Sequence, residues 1–269
     1  MDSIFNSSIT ELIKSRYSVR NYTGEEIEKD KLEKIKKYIQ DVDNPFNVKI
    51  KIELIEKDKI EEGSKLGTYG FIKGEKYYLV VYCEDNEFSM EALGCTFEKV
   101  ILYCTFLGLG TVWLGGTYKK KNFMSYIKLE NKEEIHIVSP VGYEGGKKSL
   151  IGKLIGNHKR IRKDFKELFF YNNFETPLEK EEAKEFYESL EMVRLAPSAV
   201  NKQPWRFLKI GDNFHIYRAN EGKNHKIDIG IAMCHFDLVN NNRNIKGEFK
   251  FNNPNVKSKY KYVISWIKA

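Results

Sequence analysis

Hydrophobic positions along the chain switch between helical and strand periods. Ile4, Phe5, Ile9, Leu12 and Ile13 recur at helical spacing and predict a short amphipathic helix over Ile4–Lys14, after which Ser15–Tyr22 reads as extended. Ile27, Leu32, Ile35 and Ile39 predict a second helix over Glu25–Gln40, stopped before Asn44-Pro45. Alternation of Val48, Ile50, Ile52 and Leu54 predicts a strand over Val48–Ile55, and Tyr77–Tyr82 reads as another. Ser89–Leu107 is apolar on nearly every side, as expected of a helix inside the core. Ile135–Val138 is then a strand ending at Pro140. Further on, the pattern predicts helices over Leu178–Val193 and Ile227–Val239, with strands at Arg206–Ile210, Phe214–Tyr217 and Lys259–Trp266.

Helix, strand, strand and helix thus recur in one order. Thr23–Ile39 and Thr176–Met192 share an acidic start followed by a Lys/Glu-rich amphipathic helix, which points to two related α/β halves, 1–163 and 164–269, in an α+β fold. No low-complexity linker separates them. The 269 residues suffice for this, and 41% apolar with 13% aromatic content excludes disorder. A charge of +7, from 45 basic against 38 acidic residues, is a mixed surface with a small surplus for anions. No basic stretch is interleaved with stacking aromatics, so nucleic acid is not the expected partner. Cys83, Cys95, Cys104 and Cys234 form no CxxC pair and no His stands at ligand spacing, so no metal site is expected. Val100–Tyr118 carries 19 uncharged residues, close to a bilayer span, but Gly108, Gly110, Gly115 and Gly116 break it into helix, turn and strand. With no export signal at Met1-Asp2-Ser3-Ile4, a cytoplasmic protein with reduced thiols is expected.

Three segments carry candidate chemistry. In Arg16-Tyr17-Ser18-Val19-Arg20, alternate residues of an extended chain face one way, about 6–7 Å apart. Arg16, Ser18 and Arg20 would then offer two guanidinium forks and a hydroxyl to a phosphate, although a solvated edge with Tyr17 and Val19 inward has the same pattern. In the loop Leu195–Phe207, Pro197 and Pro204 bracket Ser198, Asn201 and Gln203, whose donors and acceptors suit the edge of a flavin ring or ordinary turn chemistry. Gly108-Leu109-Gly110-Thr111-Val112-Trp113-Leu114-Gly115-Gly116 fails as a dinucleotide fingerprint, because Trp113 stands where the third glycine belongs. It reads as a helix stop, a short strand and bare backbone that a flat ligand can approach. Arg160 and Arg162, in the basic run His158–Lys163, are either a solvated face or an addition to an anion site.

Together these segments resemble the nitroreductase family of FMN enzymes. Arg16-x-Ser18-x-Arg20 resembles its N-terminal phosphate motif, and Ala196-Pro197-Ser198-Ala199-x-Asn201-x-Gln203-Pro204-Trp205-x-Phe207 its flavin loop. The segment ending Leu114-Gly115-Gly116 is similar to the backbone beside flavin N5, and Val141-Gly142-Tyr143 with Arg160-x-Arg162 to the late strand and second phosphate clamp. The resemblance covers most of residues 5–210. The order departs from the family's: more than half of the chain separates the first motif from the loop, and neither half holds both. Family dimers build each flavin site from two subunits, so the resemblance implies a single-chain pseudo-dimer with one complete site, the symmetry-related one being degenerate, and a monomer suffices.

What the resemblance implies for function is ping-pong oxidoreduction. NAD(P)H reduces bound FMN and leaves, and a small acceptor such as a nitroaromatic or a quinone takes the electrons, with no side chain required as acid or base. A flavin-binding protein without turnover, another flavin chemistry such as dehalogenation or azoline oxidation, and a nucleic-acid-binding module are the rival readings. Steady-state NAD(P)H oxidation with a quinone or nitroaromatic tests the first, acceptor profiling distinguishes the second, and salt-dependent binding by a colourless preparation would favour the third.

Overall fold

The computed structural model describes residues 8–57, 72–124, 126–130, 132–145 and 161–269. The sequence-expected mixture of helix and sheet is present. The first part runs α1 (Ile9–Ser15), α2 (Lys29–Asp41), β1 (Lys51–Glu56), β2 (Tyr77–Glu84), α3 (Ser89–Phe106), β3 (Gly110–Thr111), α4 (Lys121–Met124) and β4 (Glu133–Gly142). The second runs α5 (Phe165–Leu168), β5 (Phe169–Tyr171), α6 (Lys180–Ala183), α7 (Tyr187–Leu195), β6 (Trp205–Ile210), β7 (Asn213–Arg218), α8 (Lys223–Asn242), β8 (Gly247–Lys250) and β9 (Lys261–Lys268).

Two sheets result, ordered β1-β2-β4-β3 and β5-β6-β7-β9-β8. Without the parallel edge strand β5, they have the same order, and each inserts one long helix, α3 or α8, between its second and third strands in sequence. Each also carries one irregularity at a matching place, between Val81 and Tyr82 where β2 meets β4, and between Ile216 and Tyr217 where β7 meets β9.

The helices α3 and α8 are the centre of the molecule. Both are buried along most of their length, which is why neither shows the one-sided apolar pattern of a surface helix. They cross at two glycines. A Cβ on Gly94 would lie 2.0 Å from Ile227 O, and one on Gly230 would lie 1.9 Å from Glu91 O. The contact is reciprocal, each glycine meeting the residue three positions before the other, so only hydrogen at both positions allows this approach.

Several boundaries differ from the sequence-based expectation. The second helix begins at Lys29 rather than Glu25, although Ile27 is buried. Leu178–Val193 is not continuous: Lys184, at φ 51°, divides it into α6, a short 3₁₀ turn and α7. The strand expected to end at Pro140 runs through it to Gly142, because Pro140 lies where the β3–β4 ladder is interrupted. There Val112 N–H donates to Ser139 Oγ at 3.2 Å, so the absent proline N–H costs no ladder bond. No helix among the described residues is long and apolar enough to cross a membrane.

Candidate functional site

The first motif leaves α1 and joins the edge of β3. Ser18 bridges Thr111 in parallel, Val19 N–H donates to Thr111 O at 2.9 Å, and buried Val19 sits where a Cβ on Gly110 would otherwise lie. With Val19 turned inward, Ser18 and Arg20 face the opposite side and line a cavity of about 620 Å³. Burial holds the Arg20 guanidinium below its ordinary pKa, and among the described residues no carboxylate pairs with it. That arrangement suits a bound anion.

Arg16 does not reach the cavity. It is the cap residue of α1, its N–H donating to Leu12 O, so the helix end and not strand alternation sets its direction. The side chain is 4% exposed and lies 3.8 Å from Glu98, in a buried cluster. Within it, Trp113 Nε1–H donates to Glu98 Oε2 at 2.9 Å. His235 Nδ1–H donates to Met192 O at 2.8 Å, while its Nε2 is hydrogen-bonded to Glu98 Oε1 at 3.0 Å. The cluster ties the first motif, the Trp113 segment and α8 to one another.

Leu114, Gly115 and Gly116 follow as expected for bare backbone. Leu114 pairs with Val138, which fixes the segment on β4, and a Cβ at Gly116 would meet nothing within 4 Å. All three line the cavity together with Val112, Trp113, Thr117 and Ile137.

The opposite wall comes from the far end of the sequence. Pro197, Ser198, Ala199 and Val200 line it, with Asn224, Ile227, Asp228 and Ile231 from α8. The loop is strained: Val200, Asn201 and Gln203 all have positive φ, at 44°, 58° and 49°. Its polar side chains hold that shape. Ser198 Oγ accepts Gln203 N–H at 3.0 Å, and Gln203 Nε2 donates to Asn201 O at 3.1 Å. Gln203 Oε1 accepts Lys163 N–H at 2.9 Å, and Asn201 Nδ2 donates to Ile161 O at 2.7 Å. Arg162 donates to Asn201 Oδ1 at 2.5 Å and to Leu195 O at 2.9 Å. Arg162, Asn201 and Gln203, read from sequence as ligand contacts, therefore stand behind the loop instead of in the cavity. Arg160 lies outside the described residues.

The cavity thus joins Ser18, Arg20 and Leu114–Gly116 to Pro197–Val200 across the whole chain. A family model described as "Putative TM nitroreductase" matches residues 8–240. The chain belongs to this family. Membership places it among the nitroreductase-type oxidoreductases. No curated protein matches it. Among solved structures, a "putative nitroreductase" from Thermotoga maritima is 20% identical, with a TM-score of 0.61, over 99% of this chain and 98% of that one. At that identity the likeness concerns the fold. An FMN-dependent nitroreductase from Clostridium difficile is 21% identical over 57% of this chain and 97% of its own, with a TM-score of 0.43. A nitroreductase with bound FMN from Desulfitobacterium hafniense is 15% identical over 53% and 92%, with a TM-score of 0.46.

Sequence reasoning missed the wall that α8 contributes to this nitroreductase-family site. One signal was available: Asp228 is a lone acid within Ile227–Cys234, a run otherwise apolar. It is 3% exposed, and burial raises its carboxyl pKa to about 7. Its Oδ1 accepts Ala199 N–H at 3.0 Å, which anchors the strained loop to the helix.

Proposed function

We propose that the protein is an FMN-dependent oxidoreductase that takes electrons from NAD(P)H and passes them, in ping-pong fashion, to a small acceptor such as a nitroaromatic or a quinone. The observation that carries the reading is the cavity in which Arg20, without a carboxylate partner among the described residues, shares a wall with Gly115-Gly116 and lies across from Pro197–Val200. The residues fit the cofactor: a cation and a hydroxyl for its phosphate, side-chain-free backbone for its ring edge, and Ile137, Ile227 and Ile231 for its apolar face. FMN, when bound, supplies the hydride chemistry. The protein binds and orients it through Arg20 and Ser18, excludes water with the isoleucines, and covers it with the Pro197 loop.

The two halves are proposed to be an internal pseudo-dimer, with bounds near 163/164. Equal strand order, matching irregularities and the reciprocal Gly94–Gly230 crossing support this. The crossing equates Gly94 with Gly230. Ladder register independently equates Ile137 with Ile264 and, through β4 and β9, Thr111 with Gly247, the latter pair at the same sequence offset as the glycines. On that offset Phe251 stands where the cavity has Gly115, and Phe88 where it has Asn224. Phe88 stacks on Phe46 at 5.2 Å and meets Phe251 at 4.9 Å, so aromatic rings take the place of a second flavin. One chain then holds one complete site and needs no partner subunit, which size-exclusion chromatography with light scattering tests.

The decisive experiment is Arg20→Ala. Losing a charge-assisted contact to a partly buried anion costs about 2–4 kcal/mol of FMN affinity, on the order of 30- to 1000-fold. Flavin fluorescence titration reads it. Unchanged FMN affinity would overturn the assignment, and absence of NAD(P)H oxidation with every quinone and nitroaromatic tested would leave a flavin-binding protein without turnover.

A further inference from the structure

Arg20 and Asp228 are the only ionisable side chains among the described residues that line the cavity. Arg20 is accounted for by an anion. Asp228 is not accounted for by the fold. Anchoring Ala199 N–H takes one carboxyl oxygen, and the other, Oδ2, has no hydrogen-bond partner. A buried carboxylate left half-satisfied is costly, and helix packing alone does not require it. On the correspondence set by the Gly94–Gly230 crossing, the equivalent position of α3 is Ala92, fully buried in the same kind of environment.

We propose that Asp228 is the hydrogen-bond donor through which the cavity engages an acceptor atom on the flavin ring, its carboxyl carrying the proton. The inference rests on the flavin reading above. An unpartnered carboxyl oxygen on a cavity wall is satisfied by a cation, by a neutral donor such as a ring N–H, or by a proton that it then donates, and burial without a cation favours the last. Among the described residues, the charged groups on the surrounding elements do not supply the cation. On α3 and β7, Glu91 and Arg218 pair with each other at 3.2 Å. On α7, Arg194 pairs with Glu191, and on β6 the Arg206 guanidinium donates to the carbonyls of Gln203 and Trp205. The loop residues Pro197–Val200 carry no charge, Arg20 belongs to the first-motif side of the cavity, and Lys226 neighbours Asp228 on α8 itself. Desolvation is accordingly the main influence on this carboxyl, and it favours the neutral acid. A neutral carboxyl accepts from Ala199 with one oxygen and donates with the other, which the flavin carbonyl oxygens or ring nitrogens can receive. The same group cannot donate once ionised.

The test is ring affinity against pH, with riboflavin as the probe because it lacks the titrating phosphate of FMN. Only the acid form binds well, so the wild-type dissociation constant rises as pH passes about 7, by about 10- to 30-fold between pH 6 and pH 8.5. Asp228→Asn keeps an acceptor for Ala199 and a permanent donor, so it binds riboflavin with the wild-type low-pH affinity and shows no such rise. Asp228→Ala, the residue found at the equivalent place on α3, is weak at every pH. A second readout needs no ligand. A carboxyl whose folded pKa is raised destabilises the fold progressively between about pH 4 and pH 7, so Asp228→Asn gains stability relative to wild type across that window. Riboflavin binding that is tight but independent of pH in the wild type, or equally pH-dependent in Asp228→Asn, overturns the proposal while leaving the flavin reading intact. Failure of both FMN and riboflavin to bind at any pH overturns the flavin reading and this inference with it.

Discussion

Gly230→Ala should be among the most damaging single-methyl changes in the protein. Its Cβ would stand 1.9 Å from Glu91 O and 2.7 Å from Cys95 N, and both are backbone atoms of a helix buried in the core. No side chain can turn aside. Ordinary contact requires α3 and α8 to separate by about 1.5 Å, more than the radial gap of 0.5–1 Å that already forfeits a quarter to a half of each dispersion contact. Leu93, Phe97, Met233 and Phe236 all belong to the core that these helices build, so the loss extends along the interface. We expect a destabilisation of about 3–5 kcal/mol, at or above the upper end for overpacking. Chemical denaturation followed by tryptophan fluorescence measures it. Gly108→Ala is the matched control: at φ +77° with nothing within 4 Å, it carries only the left-handed backbone penalty of about 1 kcal/mol. A Gly230→Ala variant no less stable than Gly108→Ala would refute the helix crossing as described.

Three further outcomes follow from the packing and charge. Burial lowers the pKa of His136 and of His215 below the usual 6.5, so the unfolded chain takes up protons first as pH falls through that value. Stability should therefore fall below about pH 6.5, and His136→Gln/His215→Gln should show a shallower loss in urea midpoints between pH 7.5 and pH 5.5. Trp113→Phe removes the donor to buried Glu98 Oε2 and should cost about 1–3 kcal/mol; a neutral result in thermal denaturation would mean that Glu98 is satisfied elsewhere. With Phe46, Phe88 and Phe251 packed together at the related position, FMN should saturate at one equivalent per chain, and calorimetric titration showing two would remove the aromatic block.

The sequence by itself determined what depends on near neighbours. The alternation of Val48–Leu54, the all-round apolar Ser89–Leu107 and the glycines ending that helix specify strand, core helix and stop, and each formed within a few residues of its expected place. Alternation also set Ser18 and Arg20 apart from Val19, because successive side chains of an extended chain must face opposite ways. Tertiary structure alone decided the rest. Arg16 follows the last turn of α1 into the core, where Glu98 from a distant helix receives it. Asn201 and Gln203 spend their hydrogen bonds holding three left-handed residues in place, a demand invisible until the backbone is bent. Asp228 owes its raised carboxyl pKa to burial by elements far away in sequence. Periodicity reports which way a side chain faces, whereas what it meets there depends on contacts between segments that no local pattern encodes.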